Sequence, residues 1–136
     1  MTILMRDEGF GADDWTGTVV PLTDADDARV RAIEIAPGED LGTLTGRLGE
    51  IALIRVRFSA FNDGRGFTVA RRLRAMGYAG RLRAAGPILA DQYAMARRAG
   101  FDEVEVDQKI AARQPEAQWL ARADWRAGDH QARLRG

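Results

Sequence analysis

Two glycines bracket a single arginine in the run 58–67, Phe-Ser-Ala-Phe-Asn-Asp-Gly-Arg-Gly-Phe. Gly64 and Gly66 would let the backbone approach a ligand or take positive φ. Asp63 and Arg65 bring charge of both signs, and a helix opening after the run would offer free N–H groups to an anion. The spacing is neither a dinucleotide fingerprint nor a phosphate-binding loop, so the run reads equally as a tight strand-to-helix turn capped by Asp63. A second cluster, Gly86-Pro-Ile-Leu-Ala-Asp-Gln92, opens the next helical stretch. In parallel βα units such loops leave the same edge of the sheet. That would gather Asp63, Arg65, Asp91, Gln92 and Asp107 at the carboxyl edge, as an anion site or as an ion-pair network.

Other chemistries are excluded by residue type. The 136 residues contain no cysteine and one histidine, His130. Disulfides, thiolate nucleophiles, cysteine-held iron–sulfur clusters and zinc–cysteine sites are therefore ruled out, and a Ser-His-Asp triad or a multi-histidine metal site is disfavoured. An all-carboxylate Mg²⁺ site stays open, but no metal site is assigned. No cofactor is expected. Redox chemistry would need one that is borrowed non-covalently, a flavin included, or carried by a partner.

Charge is balanced overall, with 20 Lys+Arg against 20 Asp+Glu, but it is segregated along the chain. Residues 1–50 hold 4 arginines and 11 acids, a net of −7, and residues 51–136 hold 16 bases and 9 acids, a net of +7. Within 51–100, 10 arginines face only Asp63 and Asp91, a net of +8. Either the acidic N-terminal segment folds back over a basic face, or that face docks an acidic protein, a phosphate or nucleic acid.

The elements that must position these residues follow from periodicity. Residues 1–28 show little, apart from an extended Val19-Val-Pro-Leu22 with Pro21 at an edge. Strands are expected over 29–36, 51–58, 81–85 and 103–106. The intervening helices carry Leu41, Leu44 and Leu48; then Phe67, Val69, Ala70, Leu73 and Met76 after an Asn62 or Asp63 cap; then a stretch from Pro87 to Gly100. Asp107 caps a further helix, and Pro115 restarts one with Trp119, Leu120 and Ala123 inward. The expectation is one α/β domain over 1–136: an acidic segment 1–28, a core of about four parallel βα units over 29–125, and a polar tail 126–136.

The strands alternate: Ile54, Val56 and Phe58 against Arg55 and Arg57, Leu82 and Ala84 against Arg81 and Arg83, Ile33 and Ile35 against Glu34, Val104 and Val106 against Glu103 and Glu105. One face would be apolar under helices and the other a charged ladder. Unpaired buried charge costs several kcal/mol, so that face must be wet, internally paired or covered by a matching surface. A two-layer open sheet or partial barrel satisfies this better than a doubly wound sheet. Arg57 and Arg83, with Arg55 and Arg81, are then candidates for a docking face, or for an internal network with Glu34 and Glu105.

The run Phe61-Asn-Asp-Gly-Arg-Gly-Phe67, followed by Leu73-Arg74, Gly77-Tyr78, Gly80, Leu82-Arg-Ala84, Gly86, Leu89, Asp91-Gln92 and Gly100-Phe-Asp102, resembles domain-of-unknown-function family 934, a bacterial family. The likeness runs from about residue 15 to 106. Pro87 stands where relatives carry an acid, and Ala99 where they often carry cysteine, so no thiol role transfers. No catalytic residues are established for the family. The resemblance implies a setting beside assimilatory sulfite or nitrite reductase, where such proteins are labelled as oxidoreductases. The residues fit an accessory protein better, one that binds a sirohaem reductase or its acidic electron carrier. A small enzyme or sensor for an anionic metabolite at the carboxyl edge is the alternative. Whether the chain is an enzyme stays open, and so does a homodimer. The alternation of the arginines, without an aromatic stacking platform, disfavours nucleic acid. No membrane span or signal-peptide pattern is seen, and a cytoplasmic location is expected.

Overall fold

The computed structural model describes residues 2–126. β1 (Ile3–Arg6) and β2 (Gly9–Ala12) form a hairpin, followed by β3 (Val20–Pro21), β4 (Ala32–Ile35) and β5 (Leu53–Arg57). α1 (Arg65–Ala75) leads to β6 (Arg81–Ala85), α2 (Tyr93–Ala99) to β7 (Glu103–Val106), and α3 (Gln108–Arg113) and α4 (Glu116–Leu120) complete the elements. One seven-stranded sheet results, ordered β2-β1-β7-β6-β5-β4-β3. β3 to β7 are parallel and lie in chain order, so right-handed crossovers put α1 and α2 on one face. Under them pack Ile33, Ile35, Ile54, Val56, Leu82, Ala84 and Val104, all fully buried. Among the described residues no helix is long and apolar enough to cross a membrane.

The α/β class agrees with the sequence, but the sheet is larger than four parallel units and is mixed. β1 pairs antiparallel with β7, Met5 opposite Val104, inside a stretch that reads as aperiodic. The reason is burial on both sides. Leu4 and Met5 are each at most 1% exposed, so the strand lacks the alternation that reveals a half-buried one. Phe10 and Tyr93 meet Trp119 of α4 edge-on, each at 6.2 Å, fixing the hairpin to the body.

Three helical expectations are corrected. The expected helix with Leu41, Leu44 and Leu48 shrinks to a 3₁₀ turn at Leu41–Leu44, because Gly42, Gly46 and Gly49 each cost a helix about 1 kcal/mol. The stretch after Pro87 enters through a 3₁₀ turn at Ala90–Gln92 before α2, and Gly100 ends it as expected. Met76 and Leu120 are exposed rather than inward. Asp107 does cap α3, accepting from the Lys109 N–H at 2.7 Å. Most of the expected polar tail lies outside the described residues, and so does His130.

Candidate functional site

On the sheet face away from α1 and α2, Glu34, Arg55, Arg83 and Glu103 stand opposite one another across four strands. Like charges side by side, as at Arg55 and Arg83, are unfavourable unless each finds a carboxylate. Each does. Arg55 binds Glu34 and Glu105, and Glu105 first of all raises the guanidinium's pKa. Arg83 donates from Nε to Glu103 at 2.5 Å, and Asp13 takes its other two nitrogens at 3.0 and 3.1 Å. Arg6 reaches Glu103 at 3.1 Å and Arg81 reaches it at 2.8 Å, and both also hold Asp14. The acidic N-terminal segment therefore folds back over the basic face.

This arrangement revises the docking face. Arg83 is 2% exposed, because Asp13 and Glu103 enclose it, and it is not a surface residue. Arg55 and Arg81 are mostly covered as well, whereas the Arg57 side chain is 60% exposed and only loosely near Glu34, at 3.6 Å. Hydrogen bonds from Arg83 hold the Asp13 carboxyl below the ordinary carboxylate range, and those from Arg6 and Arg81 lower Asp14 to about 2.

The glycine-arginine run is built around Phe58. Its ring lies 4.9 Å from that of Phe67 and 5.9 Å from that of Phe101. A Cβ on Gly66 would fall 2.4 Å from the Phe58 ring, and one on Gly86 would fall 2.3 Å from the Phe58 carbonyl oxygen. These two glycines are thus needed for packing. Gly64 is the N-cap residue of α1 and has open space around it. Asp63 accepts from the Arg65 N–H and guanidinium and from the Ser59 hydroxyl at 2.5 Å, and Arg65 above all holds its carboxyl far below the usual range. The Arg65 charge is spent on its neighbour.

The carboxyl-edge residues are only partly gathered. Gln92 accepts from the Leu89 N–H and donates to the Phe61 carbonyl at 2.7 Å, tying the loop after β5 to the loop after β6. Asp91 instead pairs with Arg122 at 3.2 Å. A cleft of about 890 Å³ opens at this edge, lined by Arg55, Phe61, Pro87, Asp107, Lys109 and Arg113 among others. None of Asp63, Arg65, Asp91 and Gln92 lines it. The side chains of Lys109 and Arg113 have no hydrogen-bonding or ionic partner among the described residues, and Phe61 is 47% exposed. Sequence reading passed over Lys109 and Arg113, although their i,i+4 spacing behind the Asp107 cap places both on one helix face. Among the described residues no three His, Cys, Asp or Glu side chains converge as a metal ion would need.

A family model for a bacterial protein of unknown function, domain-of-unknown-function family 934, matches residues 32–128. The chain belongs to this family. The matched region contains β4 to β7, the Phe58 socket and all of the carboxyl-edge cleft's lining except Thr2, and it begins after the hairpin and residues 13–19. No curated protein and no solved structure matches the chain.

Proposed function

We propose that the chain is an accessory protein of assimilatory sulfite reduction that holds an acidic partner, a sirohaem sulfite or nitrite reductase or its electron carrier, against the carboxyl edge of the sheet. One observation carries the docking part of this reading. Among the described residues the Lys109 and Arg113 side chains have no ionic partner and share a cleft with an exposed Phe61, whereas Arg55, Arg81, Arg83 and Arg122 each pair with a carboxylate. Free cations around an aromatic anchor suit a protein partner of opposite charge: the cations speed encounter and the ring supplies a buried contact. The sulfite-reduction setting comes from the family resemblance in the sequence.

The test is binding of purified sulfite reductase to the whole chain, followed over a salt series. Lys109→Glu with Arg113→Glu is expected to slow association by about tenfold at low salt, with the difference narrowing as salt screens charge beyond roughly 8 Å. Binding that is unchanged in the variant and flat with salt would remove the proposal. The size of the cleft favours a second reading, a small enzyme or sensor for an anionic metabolite, since about 890 Å³ is a small-molecule volume. Saturable binding of a small anion such as malate or pyrophosphate, with no reductase binding, would select it.

A further inference from the structure

Residues 13–19 cross the charged face as a strap without regular structure, between β2 and β3. Beneath the strap, three arginines converge on one carboxylate. Glu103, 1% exposed, accepts from Arg6, Arg81 and Arg83. Those four groups together carry two positive charges in excess, and Glu105, 3.7 Å from Arg83, is engaged by Arg55. Asp13 and Asp14 supply the two missing negative charges: Asp13 grips Arg83 with both oxygens, and Asp14 sits 2.9 Å from Arg6 and 2.5 Å from Arg81. The Trp15 N–H donates to Asp13 at 2.9 Å, a local turn that lets neighbouring side chains reach the same face.

Several features mark the strap as separable from what it covers. The Trp15 indole N–H is buried with no hydrogen-bond partner among the described residues. Gly17 holds φ at +126°, a left-handed conformation that bends the chain within the strap. Asp14 is 57% exposed, beside a cleft of about 390 Å³ lined by Arg6, Arg81, Glu103 and Arg97 among others. Arg81, Arg83 and Glu103 lie within the family match, and the strap lies before it. Lifting the strap would leave Arg83 paired with Glu103 rather than stranded.

We propose that the Arg6, Arg81 and Arg83 row is a binding groove for an extended acidic segment of another protein, one presenting two neighbouring carboxylates, and that residues 13–19 are its removable cover. The strap is then a stand-in that any partner must displace, and the charge count sets what a replacement must bring. The cleft at Arg6 and Arg81 shares no lining residue with the Lys109 and Arg113 cleft, while the cavity at Arg83 shares Thr2, Arg55 and Glu105 with it, and the proposal holds whether or not the partner is a reductase.

The probe is a fluorescein-labelled peptide of residues 13–19, Asp-Asp-Trp-Thr-Gly-Thr-Val, tested by anisotropy against the full chain. A tethered occupant competes at an effective concentration on the order of millimolar, so the wild type should bind the free peptide at least about tenfold more weakly than Asp13→Asn with Asp14→Asn. The variant's binding should disappear with an Asn-Asn peptide and in high salt. Equal binding by the two chains, or equal binding of the two peptides, would overturn the proposal. Should the variant fail to fold, amide exchange of the wild type decides. Amides of residues 14–19 must exchange faster than those of β5 and β6, and exchange only through global unfolding would show a permanent strap and reject the groove.

Discussion

Glycine is where this sequence is most open to misreading. Gly64, Gly66 and Gly86 look alike in a list of ligand-cradling candidates, but their surroundings separate them. Gly86 holds φ at +119° with the Phe58 backbone 2.3 Å from where a Cβ would sit, and Gly66 lies against the Phe58 ring. Gly86→Ala should therefore destabilise the fold by roughly 1–3 kcal/mol from backbone strain alone, with the collision adding to it. Gly66→Ala should also destabilise, because Phe58 is 5% exposed and its ring is wedged between Phe67 and Phe101. Gly64→Ala should stay within about 0.5 kcal/mol of wild type. Urea midpoints of the three variants check this, and a loss at Gly64 equal to that at Gly86 would count against the packing account. The composition of the run signalled that it mattered. It could not show that Gly66 packs on the Phe58 ring and Gly86 on the Phe58 carbonyl, because contact between residues 58 and 86 is a product of the fold.

At the scale of elements, the parallel strands and the Asp107 cap were legible because each is half-buried or locally hydrogen-bonded, and such elements carry their pattern in sequence. The hairpin was not, since β1 is enclosed on both sides and spans only four residues. The strap was legible only as one of two options for the charge segregation, and its geometry decides between them. It also sets an acid response. Asp13 and Asp14 titrate in the fold below their ordinary value of 3.8, Asp14 at about 2. A depressed carboxylate adds stability above its unfolded pKa and loses it as pH falls through the folded one. Wild-type stability should thus decline from about pH 4 towards pH 2 more steeply than that of Asp13→Asn with Asp14→Asn, whose strap has no carboxylates to protonate. Urea unfolding at half-unit pH steps measures the difference. Parallel curves for the two chains would mean that the strap contributes nothing through its charge.

For the whole molecule, the two oppositely charged halves are assembly partners of each other. Asp7 shows this beyond the strap. Burial opposes its charge, but hydrogen bonds from Tyr93, Arg97 and Trp125 outweigh that and keep its carboxyl low. The hairpin that carries Asp7 also buries Leu4 and Met5, covers the edge of β7 and closes over Trp119. Two fully buried side chains contribute roughly 1.5–3 kcal/mol each, a large share of the about 5–15 kcal/mol that holds a domain of this size together. A chain lacking residues 2–12 should therefore lose most of its cooperative unfolding, although the family match begins only at residue 32. It would also bare the β7 edge as a template for strand pairing, so association should rise with concentration. Near-UV circular dichroism reads the first effect through the Tyr93 and Trp119 pair, and size-exclusion chromatography over a concentration series reads the second. A shortened chain that kept the wild-type urea midpoint and eluted as the same species would show that the matched region closes its own core. The acidic N-terminal half would then act on the basic face alone, as a cover rather than as part of the fold.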